Sequence, residues 1–88
     1  MKIQDITELQ EANGVSELQE LINTGTAWKL EGSVGRAAMD ALRSGACMLP
    51  ETAHRDYWGN RIPSRHEVKE GTQGSLQNCI AYWEGVEV

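Results

Sequence analysis

Arginine and histidine are concentrated in the middle of this 88-residue chain. All five arginines lie between Arg36 and Arg65, and the two histidines, His54 and His66, lie in or next to that stretch. The guanidinium group is planar, permanently charged and forked, so it pairs with phosphate or carboxylate oxygens more specifically than lysine does. The cluster therefore predicts a site for an anionic group.

Aromatic residues are interleaved with cations in residues 54–66. Tyr57 and Trp58 stand between Arg55 and Arg61. Aromatic faces stack on bases and guanidinium forks hold phosphates, so this composition suits a nucleotide as a whole ligand. An alternative interpretation stays open, in which both rings close the core of a chain without phenylalanine and the arginines pair with carboxylates.

Two glycines and a hydroxyl precede an arginine in Gly32-Ser33-Val34-Gly35-Arg36. At a helix N-terminus, unpaired backbone amides and the positive end of the helix dipole suit an anion. The spacing is neither the Walker pattern nor the full GxGxxG fingerprint. In the alternative interpretation, Ser33 is an ordinary N-cap and Gly35 permits close helix packing. Arg36, Asp40 and Arg43 then form a row of ion pairs on a solvated helix face.

Together these segments predict a ligand site without catalytic residues. Its members are Ser33, Gly35, Arg36, Arg55, Tyr57, Trp58, Arg61, Ser64 and Arg65. No cofactor is expected. No metal is expected either, because the cysteines and histidines lack the paired spacing of structural zinc ligands, and no local signature marks a cysteine–histidine dyad. A small acid/base enzyme that uses His54 or His66 stays as a further possibility.

Acidic segments flank the cationic middle. Asp and Glu outnumber Lys and Arg by 6 to 2 in residues 1–35 and by 4 to 1 in residues 67–88, whereas residues 36–66 hold 3 against 5. The net charge of -5 argues against general nucleic-acid binding, which needs a basic face. No apolar run approaches the roughly 18 residues of a membrane span, and the first residues are not a signal peptide. We expect a cytoplasmic protein whose two cysteines are buried thiols.

Two short helices are predicted in residues 1–25. Asp5 with Glu8 three positions later is typical of a helix start and predicts a helix over residues 6–12. Ser16 with Gln19 repeats this pattern, and the second helix is expected to end at Thr24-Gly25.

A central helix and a last helix are predicted farther along the chain. Apolar residues at i, i+3, i+4, i+7 and i+8 indicate a helix over residues 34–44, which follows a short strand at 28–30. Ser75 is expected to cap a last helix that ends before Gly85, with an edge strand in the tail at 86–88.

Residues 46–74 are rich in turn residues and poor in periodicity. A hairpin is predicted there, in which Asp56-Tyr57-Trp58 and Arg61-Ile62 flank a tight Gly59-Asn60 turn. A strand is also predicted at 46–49. The fold class that follows is α+β, a small single domain over residues 1–88, mostly helical with short strands or a hairpin. An all-helical arrangement stays open because each predicted strand is short.

Several motifs of residues 28–78 resemble short uncharacterised proteins carried by bacteriophages and prophages. The motifs are Trp28-x-Leu30-Glu31-Gly32-Ser33-Val34-Gly35-Arg36-Ala37-Ala38-Met39, Ser44-Gly45-x-Cys47-x-Leu49-Pro50, Asp56-Tyr57-Trp58-Gly59-Asn60-x-x-Pro63-Ser64-Arg65 and Gly71-Thr72-x-Gly74-Ser75. The resemblance implies a setting and no catalytic residues. In that setting, a small acidic binding protein is often a counter-defence factor in the bacterial cytoplasm.

Two functions from different classes follow. The first is a non-enzymatic protein, expected to be a homo-oligomer, that sequesters a phosphate-bearing small molecule such as a nucleotide immune signal. The second is an inhibitor that binds a host defence protein through acidic side chains of the early helices, contributed by Glu8, Glu11, Glu17 and Glu20. A phage accessory protein of unrelated role is a further alternative.

Overall fold

The computed structural model describes residues 2–30 and 32–87, and these form a small α+β domain of four α-helices and one hairpin. The helices are α1 (Ile3–Ala12), α2 (Ser16–Thr24), α3 (Gly32–Ser44) and α4 (Leu76–Glu87), with a 3-10 turn at Thr26–Trp28. Strands β1 (His54–Arg55) and β2 (Arg61–Ile62) pair antiparallel, with His54 opposite Ile62. The predicted class, mostly helical with a hairpin, is confirmed.

Helix α1 begins earlier than its capping signal predicts. Asp5 is the third residue of the helix, and its Oδ2 accepts a hydrogen bond from the Lys2 amide at 3.1 Å. The Asp5 carboxylate therefore supplies a partner for the Lys2 amide, which precedes the helix. The carboxylate also lies near the positive end of the helix dipole, which stabilises its negative charge. The helix ends as predicted at Asn13-Gly14, where Gly14 has a φ of +75°.

Helix α2 ends as predicted at Thr24-Gly25, but its predicted cap is wrong, because Ser16 is the first residue of the helix and the side chain of its N-cap residue, Val15, makes no capping hydrogen bond. The chain leaves the helix at Gly25, whose φ of +82° favours glycine, and a Cβ there would lie 2.7 Å from the His54 ring. The sequence pattern predicts that the side chain of Gln19 caps the helix start. The side chain is buried instead: Oε1 accepts from the Met48 amide, and Nε2 donates to the Met48 carbonyl and to Asn23 Oδ1. Gln19 thus supplies hydrogen bonds to the buried loop that contains Met48.

Helices α3 and α4 extend beyond their predicted ends. Helix α3 starts at Gly32 rather than at residue 34, and its core face is formed by Ala38, Ala41 and Leu42. Helix α4 starts where Ser75 caps it, since Ser75 Oγ accepts from the Asn78 amide at 3.1 Å.

The predicted stop before Gly85 is wrong, because α4 continues through Gly85 to Glu87. The predicted tail strand is therefore also wrong at residues 86–87, and residue 88 lies outside the described residues. Gly85 has no positive φ, and no atom lies within 4 Å of the place that a Cβ would take there, so the helix passes it without strain.

The core is built around a buried irregular segment, residues 46–50. Side chains from all four helices pack with it, among them Ile6, Ile22, Ala38, Leu42, Cys79 and Trp83. The predicted strand at 46–49 is wrong, because this segment bonds mainly to side chains and not to a neighbouring strand. The Ala46 carbonyl, for example, accepts from Gln10 Nε2 at 3.0 Å and from Trp83 Nε1 at 3.1 Å.

The predicted strand at 28–30 is also wrong. Residues 26–28 form the 3-10 turn, whose last carbonyl, that of Trp28, accepts from the Tyr57 amide at 3.1 Å. The hairpin itself is present, and its second strand lies where it was predicted, at Arg61–Ile62. The predicted first strand at residues 56–58 is wrong, because that strand is His54–Arg55 and residues 56–60 form the connection in place of a two-residue turn. None of the described helices is long and apolar enough to cross a membrane.

Candidate ligand-binding groove

Asp56 organises the hairpin connection. Its Oδ1 accepts from the Trp58 amide at 2.9 Å and from the Asn60 amide at 2.8 Å, and its Oδ2 accepts from Asn60 Nδ2 at 3.2 Å. Desolvation would raise the pKa of Asp56, but hydrogen bonds from Asn60, Trp58 and Gly59 together lower it below its ordinary value. The carboxylate therefore stays charged and fixes the shape of the turn.

This turn holds two aromatic side chains in solvent. Tyr57 is 73% exposed and Trp58 is 81% exposed, and their rings meet edge to face with centroids 5.1 Å apart. The alternative interpretation that both rings close the core is wrong. That role belongs to Trp83, which is buried and stacks on Tyr82 with centroids 4.8 Å apart.

A groove lies between helix α3 and the hairpin, and Trp28 lines it along both of its parts. It consists of two adjoining clefts of about 600 and about 690 Å³, which share Trp28, Gly32, Gly35 and Asp56. We call it the α3–hairpin groove. Its other lining residues are Ala27, Lys29, Leu30, Arg36, Met39, Asp40, Arg43, Tyr57, Trp58 and Ile62.

Arg36 is the predicted cation that lines this groove. It is exposed on the first turns of α3, where its Nη1 lies 3.1 Å from the position of a Cβ on Gly32. Among the described residues, the ion pair on this helix joins Arg43 to Asp40 at 3.0 Å, and Arg36 is in neither of the two ion pairs found there. Of the ion-pair row in the alternative interpretation, the Asp40–Arg43 pair is therefore present and Arg36 is not part of it.

The remaining predicted arginines have partners within the protein. Arg55 Nη1 donates to the Gly59 carbonyl at 2.8 Å and supports the hairpin turn. Arg61 forms an ion pair with Glu67, and this contact, followed by the Ser64 amide, lowers the pKa of Glu67 to about 2. Arg65 is buried and donates through Nε to the Leu49 carbonyl at 2.8 Å.

The nine predicted site residues are thus divided. Gly35, Arg36, Tyr57 and Trp58 line the α3–hairpin groove, and Ser33 lies exposed on the first turn of α3. Arg65 lines a different cleft that shares no lining residue with the groove. Ser64 is buried, and its amide donates to Glu67 Oε2 at 2.8 Å. Sequence proximity alone does not bring the arginines to one point.

Sequence reasoning missed the apolar part of the groove. Trp28, Leu30 and Met39 line it, and both Leu30 and Met39 are exposed. The aromatic type of Trp28 is a signal for a stacking surface, but its alternation with Lys29 favours a strand. Among its described residues, the groove thus combines aromatic and apolar side chains with the guanidinium of Arg36, which is in no ion pair there.

The cysteines and histidines form no common site. Cys47 and Cys79 are buried thiols, and His54 Nε2 lies 3.0 Å from the Asn23 carbonyl. In residues 2–30 and 32–87 no three Cys, His, Asp or Glu side chains gather in a way that could hold a metal ion. Comparison with known proteins found no matching family model, no similar curated protein and no similar solved structure.

Proposed function

We propose that this chain is a non-enzymatic binding protein that holds a phosphate-bearing small molecule with a flat ring, such as a nucleotide, in the α3–hairpin groove. The observation that supports this most is the exposure of Tyr57 and Trp58 on a turn fixed by Asp56. Because the backbone of this turn is fixed before binding, less conformational entropy is lost when a ligand stacks on its rings. Such stacking tolerates any base because every base has a π-face.

The helix side of the same groove suits the phosphate. Arg36 supplies a permanent positive charge there, and Gly35 leaves the backbone open, since a Cβ at Gly35 would meet only the Ala27 carbonyl oxygen at 3.8 Å. Two carboxylates line the groove among the described residues, and both are already engaged, that of Asp40 with Arg43 and that of Asp56 with the turn. Their repulsion of an anion is therefore reduced.

The biological setting comes from the resemblance to phage and prophage proteins. In that setting we propose sequestration of a nucleotide immune signal in the bacterial cytoplasm. A groove open on one side covers a ligand more fully when a second copy closes it, which is the reason to expect a homo-oligomer.

Native mass spectrometry of freshly purified protein is the first test. We expect a homo-oligomer that carries an adduct of nucleotide mass. Titration with a panel of mononucleotides and cyclic oligonucleotides should then quench the fluorescence of Trp58 saturably, since this indole is exposed before binding. A bare monomer whose fluorescence no nucleotide changes would overturn the proposal.

Matched variants localise the binding. Because base stacking contributes about 1–3 kcal/mol, Trp58→Ala should weaken nucleotide binding by about 5- to 150-fold. Arg36→Ala should weaken nucleotide binding as well. Lys69→Ala is the control: it removes an exposed charge that does not line the groove, and it should leave nucleotide binding unchanged. Equal affinity in all three variants would contradict the assignment of the groove.

A second candidate function, inhibition of a basic host protein, is favoured by the acidic side chains of α1 and α2. Glu8, Glu11, Glu17 and Glu20 are all exposed, and neither ion pair of the described residues involves them. Carboxylates of this kind steer association with a basic partner. Reversing Glu17 and Glu20 to lysine should abolish capture of such a partner, and an unchanged complex would end this candidate.

A further inference from the structure

A second cleft, separate from the α3–hairpin groove, lies between the early helices and the loop after the buried segment. Its volume is about 420 Å³, within the roughly 300–1,000 Å³ typical of small-molecule sites. Helices α1 and α2 contribute Thr7, Gln10, Gln19 and Asn23, and the loop contributes Glu51 and Thr52. We call it the Arg65 cleft, because Arg65 also lines it.

Arg65 reaches this cleft with part of its guanidinium unused. The residue is only 8% exposed, its Nε donates to the Leu49 carbonyl at 2.8 Å, and its Nη2 lies 3.4 Å from Asn23 Oδ1. Within the described residues, Nη1 donates to no protein atom. No side-chain nitrogen or oxygen that is fully buried there lacks a hydrogen-bond partner, so Nη1 is not fully buried. Nη1 therefore keeps a solvent-accessible surface, and because Arg65 lines the cleft, this group has free donors for a ligand there.

The charge of Arg65 also has no carboxylate in contact among the described residues. The two ion pairs found there join Arg43 to Asp40 and Arg61 to Glu67. Burial lowers the pKa of Arg65 from its ordinary value, and the charge of Glu51 acts in the opposite direction. A guanidinium that is mostly buried without a paired carboxylate is costly, so a carboxylate that enters the cleft would gain a strong partner.

Glu51 restricts which carboxylates fit. It lines the same cleft, and its negative charge favours the charged form of Arg65. The two side chains are too far apart to form an ion pair. A simple anion at Arg65 would be repelled by Glu51, whereas a molecule that also carries an ammonium group would satisfy both charges. Ile3 and Met48 add an apolar wall that suits a short hydrocarbon side chain.

We propose that the Arg65 cleft binds a small zwitterion of the α-amino-acid class, with its carboxylate on Arg65 Nη1 and its ammonium group on Glu51. The hydroxyls of Thr7 and Thr52 are further polar groups of the lining. This site is independent of the nucleotide groove, since the two share no lining residue.

The test is NMR titration of the ¹⁵N-labelled chain, observed at the Arg65 Nε–Hε group and at the Gln10 and Gln19 side-chain amides. The probes are the twenty common amino acids one at a time, sodium acetate and methylammonium chloride. At least one amino acid should shift the Arg65 signal saturably and bind about tenfold or more tightly than acetate, and methylammonium should cause no shift. No saturable shift with any amino acid would overturn the proposal.

Glu51→Gln is the decisive variant, because Glu51 is exposed and its replacement should leave the fold intact. We expect it to reduce amino-acid affinity to the level of acetate, while Glu70→Gln, the same change at an exposed position outside the cleft, should have no effect. Unchanged amino-acid affinity in Glu51→Gln would contradict the role of Glu51. Trp58→Ala should leave amino-acid binding intact, so failure at this cleft and failure at the nucleotide groove are separable.

Discussion

The side chain of Gln19 brackets the backbone of Met48. Its Oε1 accepts from the Met48 amide at 2.9 Å, and its Nε2 donates to the Met48 carbonyl, also at 2.9 Å. Gln10 extends this arrangement, since its Nε2 donates to Gln19 Oε1 at 2.8 Å. Two glutamines thus perform for the buried loop the task that a neighbouring strand performs in a sheet.

Replacing Gln19 should therefore destabilise the protein strongly. Gln19→Met keeps the side-chain length but leaves the Met48 amide and carbonyl without partners, and each buried orphan costs about 1–3 kcal/mol. We expect urea denaturation to show a loss of about 3 kcal/mol. Gln77→Met, at an exposed position of helix α4, is the control and should stay within about 0.5 kcal/mol of the parent. Similar stability for both variants would show that the network contributes little.

Alanine at Gly35 should stabilise helix α3. Gly35 is helical, has no positive φ, and leaves 3.8 Å between a Cβ and the Ala27 carbonyl oxygen, which is ordinary contact. Glycine inside a helix costs about 0.5–1 kcal/mol relative to alanine, so thermal unfolding of Gly35→Ala should show a gain of that size. Gly85→Ala in helix α4 is the matched control, since nothing lies within 4 Å of its Cβ position. Loss of stability only at position 35 would mean that Gly35 is required for close packing.

The ion pair of Arg61 with Glu67 should be visible in carboxyl titration by ¹³C NMR. The pKa of Glu67 is lowered to about 2, first by the Arg61 side chain and then by the Ser64 amide. The stabilisation is therefore present above the ordinary glutamate pKa and is lost as the pH falls towards 2. Arg61→Ala should raise the pKa of Glu67 towards its ordinary value. Arg55→Ala is the control, because Arg55 donates to Gly59 and should leave the Glu67 titration unmoved.

The buried thiols should make the protein sensitive to alkali. Burial is the main reason that the pKa of Cys47 is raised to about 12 and that of Cys79 to about 11. Because the folded protein binds these thiol protons more tightly, their contribution to stability is fully present below the unfolded-state pKa, near 9. This contribution is lost as the pH rises towards 11 or 12. Urea midpoints should fall over this range. A double variant with alanine at both positions should fall less steeply, and parallel curves would contradict the thiol contribution.

Sequence patterns predicted the helices because their information is local. The signals near Asp5, Ser16 and Ser75 mark helix starts, and the 3.6-residue period of α3 marks its core face. These features depend on neighbours within one or two turns, so the sequence alone predicted four helices. It favoured a hairpin in the middle and the α+β class, but it left an all-helical arrangement open because each predicted strand is short.

The position of each arginine was decided by tertiary structure. Arg61 and Arg65 are close in sequence, yet one pairs with Glu67 at the surface and the other extends under the loop to Leu49 and Asn23. No local pattern encodes this, because each partner comes from a different element. The same reason explains residues 46–49, which have the composition of a strand but obtain hydrogen bonds from side chains of α1, α2 and α4.

The candidate site therefore has two origins. The sequence by itself determined that aromatic and guanidinium groups are concentrated in one segment that also holds the turn residues Gly59 and Asn60, since these are matters of residue type and short spacing. Only the tertiary structure decided that Tyr57 and Trp58 face solvent in the groove that Arg36 also lines, while Arg65 lines a separate cleft beside Glu51. The physical reason is that burial and charge pairing depend on contacts between distant parts of the chain, which form only when the helices pack.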